Sequence, residues 1–152
     1  MNYEDKLKDH IKKNGIGALH LHLSRSCHSA REAALAVGVD TESVVKTICL
    51  IDSGKLIACV LCGNDRIDLS EMEKLLHTEK VKLATPHEIL KRTGYPCGGV
   101  PPFGFEGKFV IDKKVMEKDV IYCGGGSESS LIKISPENLK KANEGIIAEI
   151  SE

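Results

Sequence analysis

The sequence predicts an α+β fold, and three observations carry that reading. Helical and extended patterns interleave along the chain instead of falling into long runs of one kind. Residues 44–51 and 55–62 are apolar runs on either side of Asp52-Ser53-Gly54, the pattern of a β-hairpin. No repeat with a period of about 20–50 residues, no low-complexity stretch and no linker composition interrupts them, so one domain over residues 1–152 is expected. A chain of 152 residues, 41% hydrophobic, is long enough for a single core.

The elements follow in order. Leu7 and Ile11 stand four apart among charged residues in 3–13, and Asn14-Gly15 follows, which predicts a helix with a C-terminal glycine cap. Leu19-His20-Leu21-His22-Leu23 alternates as a half-buried strand, with His20 and His22 on one half-solvated edge face. Ser29-Ala30-Arg31-Glu32 has capping-box spacing ahead of Ala33-Ala34-Leu35-Ala36-Val37, and Gly38 ends that helix. After the hairpin, Gly63-Asn64-Asp65-Arg66-Ile67-Asp68 reads as a polar turn leading into a short helix at 70–76, capped by Asp68 or Ser70. Val81-Lys82-Leu83 reads as a strand, and a helix runs from Pro86 through Ile89 and Leu90 to Gly94. Strands are expected at 108–112, 119–123 and 130–134, with Ser135-Pro136-Glu137 opening a last helix.

Charge and cysteine usage exclude several classes. Lys plus Arg number 21 against 22 Asp plus Glu, so a generally basic, nucleic-acid-coating surface is not indicated. No segment approaches the roughly 20 apolar residues of a membrane span, and the N-terminus is polar, so a cytoplasmic protein without a membrane partner is expected. The six cysteines then read as reduced thiols. Cys49, Cys59 and Cys123 lie inside apolar runs, where a free cysteine behaves as a small hydrophobe. Cys59-Val60-Leu61-Cys62 has CxxC spacing, but residues three apart on a strand face opposite sides and no second ligand pair is present, so no metal or other cofactor is expected.

The densest motif is Gly94-Tyr95-Pro96-Cys97-Gly98-Gly99-Val100-Pro101-Pro102-Phe103-Gly104, which holds four of the fourteen glycines and three of the five prolines. Proline fixes φ and glycine allows φ > 0 and close approach, so this loop is rigid, bare backbone, serving either as a tight connection or as a binding surface. Gly124-Gly125-Gly126-Ser127 after an apolar strand is either a flexible turn or a backbone wall and anion-accepting nest. Lys46 stands between Val44-Val45 and Thr47-Ile48, facing solvent or reaching a phosphate or carbonyl at the sheet edge. His28 precedes the capping box, in a loop that could reach a site. No G-x-S-x-G elbow and no Walker loop appears.

In this order the motifs resemble the YbaK-type family of aminoacyl-tRNA deacylases, relatives of the editing domain of bacterial prolyl-tRNA synthetase. The likeness runs through Ser29–Ala34, Val44–Thr47, Gly63–Asp68, Thr93–Tyr95, Gly98–Gly104, Tyr122–Gly126 and Ile134–Pro136. It implies a bent, mixed, largely antiparallel sheet wrapped by helices, with a pocket near the sheet mouth. It also implies hydrolysis of mischarged aminoacyl-tRNA carrying alanine, serine or cysteine, on tRNA-Pro or another tRNA. Its carry-over makes Gly98, Gly99, Val100 and Lys46 the catalytic set, the amides facing the ester carbonyl. Pro101 and Pro102, which donate nothing, frame them; Gly124, Gly125 and Gly126 form the opposite wall, and His28 joins the substrate contacts. The expected partner is the 3′ acceptor end of tRNA, not DNA. With a net charge of −1, delivery would rest on Lys12-Lys13, Lys113-Lys114 and Lys140-Lys141, or on a synthetase or elongation factor. The rivals are a non-catalytic tRNA- or protein-binding module of the same fold and a redox or metal protein using Cys59 and Cys62.

Overall fold

The computed structural model describes residues 2–152. Its elements are α1 (Tyr3–Lys13), β1 (Ala18–His22), α2 (Ala30–Val37), β2 (Val45–Asp52), β3 (Lys55–Cys62) and α3 (Leu69–Leu76). They continue with β4 (Val81–Leu83), α4 (Pro86–Thr93), β5 (Lys108–Asp112), β6 (Ile121–Gly124), β7 (Ser130–Ile134), α5 (Pro136–Asn143) and β8 (Ile146–Ala148). Short 3₁₀ turns lie at Thr41–Ser43 and Val115–Glu117.

The central hairpin sets the architecture. Ser53 (φ +50°) and Gly54 (φ +81°) both sit at positive φ, a two-residue turn whose twist suits the flanking strands. Around it grows a five-stranded sheet in the order β4-β2-β3-β5-β8, with β5 parallel to β3 and β8 parallel to β5. A second, antiparallel sheet has the order β1-β7-β6. One parallel bridge, Val44 to Tyr122, joins the two. The result is the bent, mixed, largely antiparallel α+β arrangement that the sequence predicts.

Two apolar clusters explain why β3 is hydrophobic along nearly its whole length. Val60 and Cys62 face a cluster with Leu7 of α1, Leu139 of α5 and Ile132 of β7. Ile57, Cys59 and Leu61 face the other, with Met72 of α3 and Ile150. A strand covered on both faces loses the alternation that marks a half-solvated one. Cys59 and Cys62 therefore point into different clusters, and Cys59 Sγ rests 3.9 Å from Met72 Sδ.

Several local expectations change. The complete capping box belongs to α4, where Thr85 Oγ1 accepts from Glu88 N–H and Glu88 accepts from Thr85 N–H. At α2 the half supplied by Ser29 is formed, 3.1 Å from Glu32 N–H. Asp68, not Ser70, caps α3. The strand expected from residue 119 begins at Ile121, and β8 is an addition. That addition depends on Asp112, 1% exposed, which accepts from Ile150 N–H at 2.9 Å and Ser151 N–H at 3.2 Å and so draws the tail onto the sheet. His20 departs from the solvated reading: its side chain is 6% exposed, behind Glu4 of α1.

Candidate functional site

The site lies where the sheet splits. Val44 O accepts from Gly63 N–H on the β3 side of β2, and Cys49 O accepts from Ala84 N–H on the other side. Strand alternation then turns the peptide groups of residues 45, 47 and 49 away from β3. On that edge β4 pairs only with Leu50–Asp52, and β6 meets only Val44. The stretch between them is an open strand edge, and a cavity of about 430 Å³ opens on it. This is within the usual size of a small-molecule site.

The loop after α4 closes one side. Gly94 (φ +81°) ends the helix, and its carbonyl accepts from Lys6 Nζ at 3.2 Å. Lys6 Nζ also lies 4.6 Å from the centre of the Tyr95 ring, which is fully buried. Gly99 N–H then donates to Pro96 O at 3.0 Å, and Gly98 sits at φ +93°. That is a type II turn with Cys97 and Gly98 in its centre, and position i+2 requires positive φ. Gly98 and Val100 line the cavity. Among the described residues, no acceptor takes the N–H of either one.

Three expected contributions change as a result. The Gly99 amide is committed to Pro96, which removes it from the donors. Pro101 and Pro102 are buried away from the cavity, and Pro102 O accepts from Asn143 of α5 at 3.0 Å. The glycine triplet stands behind the loop, not opposite it. Gly126 N–H donates to Gly99 O at 2.8 Å, and a Cβ on Gly124 would run into the Val100 carbonyl. Gly125 O faces His20 Nε2 at 2.8 Å, and Ser127 N–H donates to Ser130 Oγ at 3.1 Å. With the Gly126 and Ser127 amides spent internally, the triplet makes no anion nest. Of the three glycines, only Gly124 lines the cavity; Gly125 and Gly126 do not. The facing wall is the β2 edge with Ala30 and Ala33 of α2.

Lys46 and His28 both reach the cavity. Lys46 Nζ donates to Gly63 O at 3.2 Å, leaving two of its three protons for a ligand. Burial pushes its pKa below the ordinary value; Asp65 works against that and Arg66 with it. Among the described residues no carboxylate lines the cavity, and Lys46 is the one lysine or arginine that does. Three thiols also line it, Cys27, Cys49 and Cys97. Burial pushes the Cys49 thiol up to about 12 and raises Cys27. Cys97 is exposed. No group of three or more His, Cys, Asp or Glu side chains among the described residues is placed to hold a metal ion.

Sequence reading does not show that Cys27, Cys49 and Cys97 line the cavity, nor that β2 has an open edge. Cys49 is the core residue its apolar run predicts, 3% exposed, and it also lines the cavity, which the run does not reveal. The edge was recoverable only from strand pairing, since β4 is three residues long and covers too little of β2.

Residues 24–142 match the aminoacyl-tRNA editing domain family. YwhH of Bacillus subtilis (strain 168) is 26% identical over 119 residues, 76% of this chain and 75% of that protein. The proline–tRNA ligase of Nitratidesulfovibrio vulgaris (strain DP4) is 27% identical over 103 residues, covering 67% of this chain and 18% of the ligase. Among solved structures, hypothetical protein APE2540 superposes with a TM-score of 0.90 at 33% identity, covering 97% of this chain and 99% of that one. A protein described as a candidate trans-editing enzyme for prolyl tRNA synthetase gives 0.94 at 24% identity, over 100% and 98% of the two chains, a likeness of fold. The chain belongs to the aminoacyl-tRNA editing family, the YbaK-type family its motifs resemble. No helix among the described residues is long and apolar enough to cross a membrane.

Proposed function

We propose that this chain is a trans-editing hydrolase that cleaves the ester of a mischarged aminoacyl-tRNA. The observation that carries the reading is the pair of unengaged amides, Gly98 and Val100, on a turn whose geometry is already set. Donors held in place before reaction stabilise a developing oxyanion without reorganising, an effect worth about 2.7–4 kcal/mol per donor. In this reading the ester carbonyl oxygen faces those two amides. Lys46 contacts the terminal adenosine or the carbonyl, and the free ribose hydroxyl orients a water.

The substrate class follows from the walls. Ala30, Ala33, Ile48 and Cys49 offer the acyl side chain apolar surface, with no carboxylate to hold a cationic one. Alanine, serine and cysteine are the residues to try, because a synthetase gains only about 1–3 kcal/mol from one methylene and leaves small misacylations to a second site. Similarity to prolyl-tRNA ligases makes tRNA-Pro the first tRNA to charge. Such a substrate places the protein in the cytoplasm, as one domain acting in trans. A synthetase or elongation factor would then deliver the acceptor end.

Incubation with alanyl, seryl and cysteinyl esters on several tRNAs tests this. Hydrolysis of at least one ester is expected, with Lys46→Ala about 10²-fold slower. No hydrolysis across the panel would replace the enzyme with a binding module of the same fold. Hydrolysis at an unchanged rate in Lys46→Ala would remove the lysine from the scheme.

A further inference from the structure

The amides and Lys46 leave the attacking water without a base on the protein, and the residue packed against Gly98 can supply one. His28 Nδ1 lies 3.3 Å from where a Cβ on Gly98 would stand. The same nitrogen approaches Glu128 Oε1 at 3.4 Å. Both side chains are more than half exposed, at 61% and 62%, and an isolated pair of that kind contributes little.

This pair is not isolated, because the backbone beneath it is tied down. Cys27 N–H donates to Glu128 O at 2.6 Å, and Cys27 Sγ donates to the same oxygen at 3.0 Å. Leu23 N–H donates to Ser129 O at 2.7 Å, and His28 N–H donates to Ser26 Oγ at 3.3 Å. Cys27 is buried, and burial raises its thiol pKa, so it stays a protonated donor. Residue 28 is thus held beside residue 128 by bonds that need no charge, at the edge of the cavity that the two free amides line.

We infer that His28 is the general base of hydrolysis at this cavity and that Glu128 is its positioning residue, an inference that rests on the editing reading above. With Nδ1–H turned to the carboxylate, Nε2 carries the lone pair. Nε2 takes a proton from water as the water oxygen bonds to the ester carbonyl carbon, and the carbonyl oxygen becomes the oxyanion facing Gly98 and Val100. Collapse breaks the bond from that carbon to the ribose oxygen, which leaves with the proton from Nε2. The products are the amino acid and tRNA with a free hydroxyl; nothing is oxidised or reduced.

The charged and titratable groups about the ring come from four directions. They are Glu128 on the β6–β7 loop, 3.4 Å from Nδ1, and, in the lining of the same cavity, Lys46 on β2, Cys97 of the turn beside Gly98, and Cys27 next along the chain. The base works only when neutral, so the rate rises with pH as the imidazole loses its proton.

The test is kcat and KM of the full chain on its preferred aminoacyl-tRNA across pH 5–8.5, for wild type, His28→Gln and Glu128→Gln, with folding checked by circular dichroism. His28→Gln is expected to lower kcat by about 10²-fold with little change in KM, and to abolish the acid limb of the profile. Glu128→Gln is expected to keep part of the activity, with kcat lowered and KM unchanged, since the carboxylate orients the ring without touching the substrate. A folded His28→Gln protein with wild-type kcat, or with the acid limb intact, overturns the inference alone. Wild-type protein inactive on every ester overturns the editing reading and this inference with it.

Discussion

Two glycine clusters meet behind the cavity, Gly98-Gly99 and Gly124-Gly125-Gly126, and glycine serves them in different ways. At Gly98 the requirement is conformational: φ +93° at the second central position of a turn, with the peptide N–H left open on a cavity. At Gly124 and Gly125 the requirement is space. Two backbones pass so closely that a Cβ on Gly124 would enter the Val100 carbonyl, and one on Gly125 would lie 2.6 Å from Leu131 N. Gly98 faces the cavity, and the triplet braces the loop from behind. Glycine density reports that backbone must come close to something, and it does not say whether that something is ligand or protein.

The largest separation of the two roles is expected from Gly124→Ala. The new methyl has only backbone to push against, so the loop or the strand must shift, at a cost of about 2–3 kcal/mol in urea unfolding. Hydrolysis should fall as well, because Val100 moves with its carbonyl. A Gly124→Ala protein with wild-type stability would break the comparison at its bracing end.

Gly98→Ala should cost less stability and still damage the site. Positive φ costs a non-glycine residue about 1–2 kcal/mol, and the added methyl would meet only side-chain atoms, His28 Nδ1 at 3.3 Å and Glu128 Cγ at 3.8 Å, where the one on Gly124 meets backbone. If the turn relaxes to relieve that strain, the amide is re-aimed, and turnover should drop about 10²-fold with the fold intact. Unfolding and turnover measured on the same preparation decide this. The distinction fails if Gly98→Ala proves the more destabilising of the two, or if turnover survives it.

What could be read in advance divides along the same line. Features set within a few residues were legible: the helix ends at Gly38 and Gly94, the hairpin at Ser53-Gly54, and the loop at 94–104 as an unusual stretch of backbone. Lys46, Gly98, Val100, Gly124 and His28 stand out in the sequence, and they come together at one cavity. Features set by a partner far along the chain were not. The placement of Gly99 depends on Gly126, that of Glu128 on Cys27, and β8 on Asp112. Nothing in the residues 145–151 announces a parallel partner at 110–112, because an edge strand of three residues carries no periodicity to read. The error of putting the glycine triplet opposite the loop has the same origin. Composition identifies a close approach, whereas its direction is a property of the assembled sheet.

The smallest expected effect lies on the bracing side, at Glu4, and it separates the clusters by pH. Its carboxylate accepts from Ser127 Oγ at 2.8 Å and faces His22 Nδ1 at 2.9 Å, so it ties α1 and β1 to the residue that follows the triplet. Burial works to raise its pKa, but the hydrogen bonds with His22 and Ser127 and the charges of His22 and His20 outweigh it and hold the group below its ordinary 4.5. A carboxyl depressed in the folded state stabilises fully above its unfolded value and loses that contribution as the pH falls through the folded one. Glu4→Gln should therefore be less stable than wild type at pH 7, by about 1 kcal/mol or less, and the two curves should converge below pH 4.5. Turnover at pH 7 should stay unchanged, since Glu4 braces the triplet without facing the cavity. Urea unfolding at stepped pH gives the first comparison and ester hydrolysis the second. A stability gap that stays constant down to pH 3 would remove the ionised Glu4 from the brace, and a loss of turnover without loss of stability would move Glu4 to the ligand side.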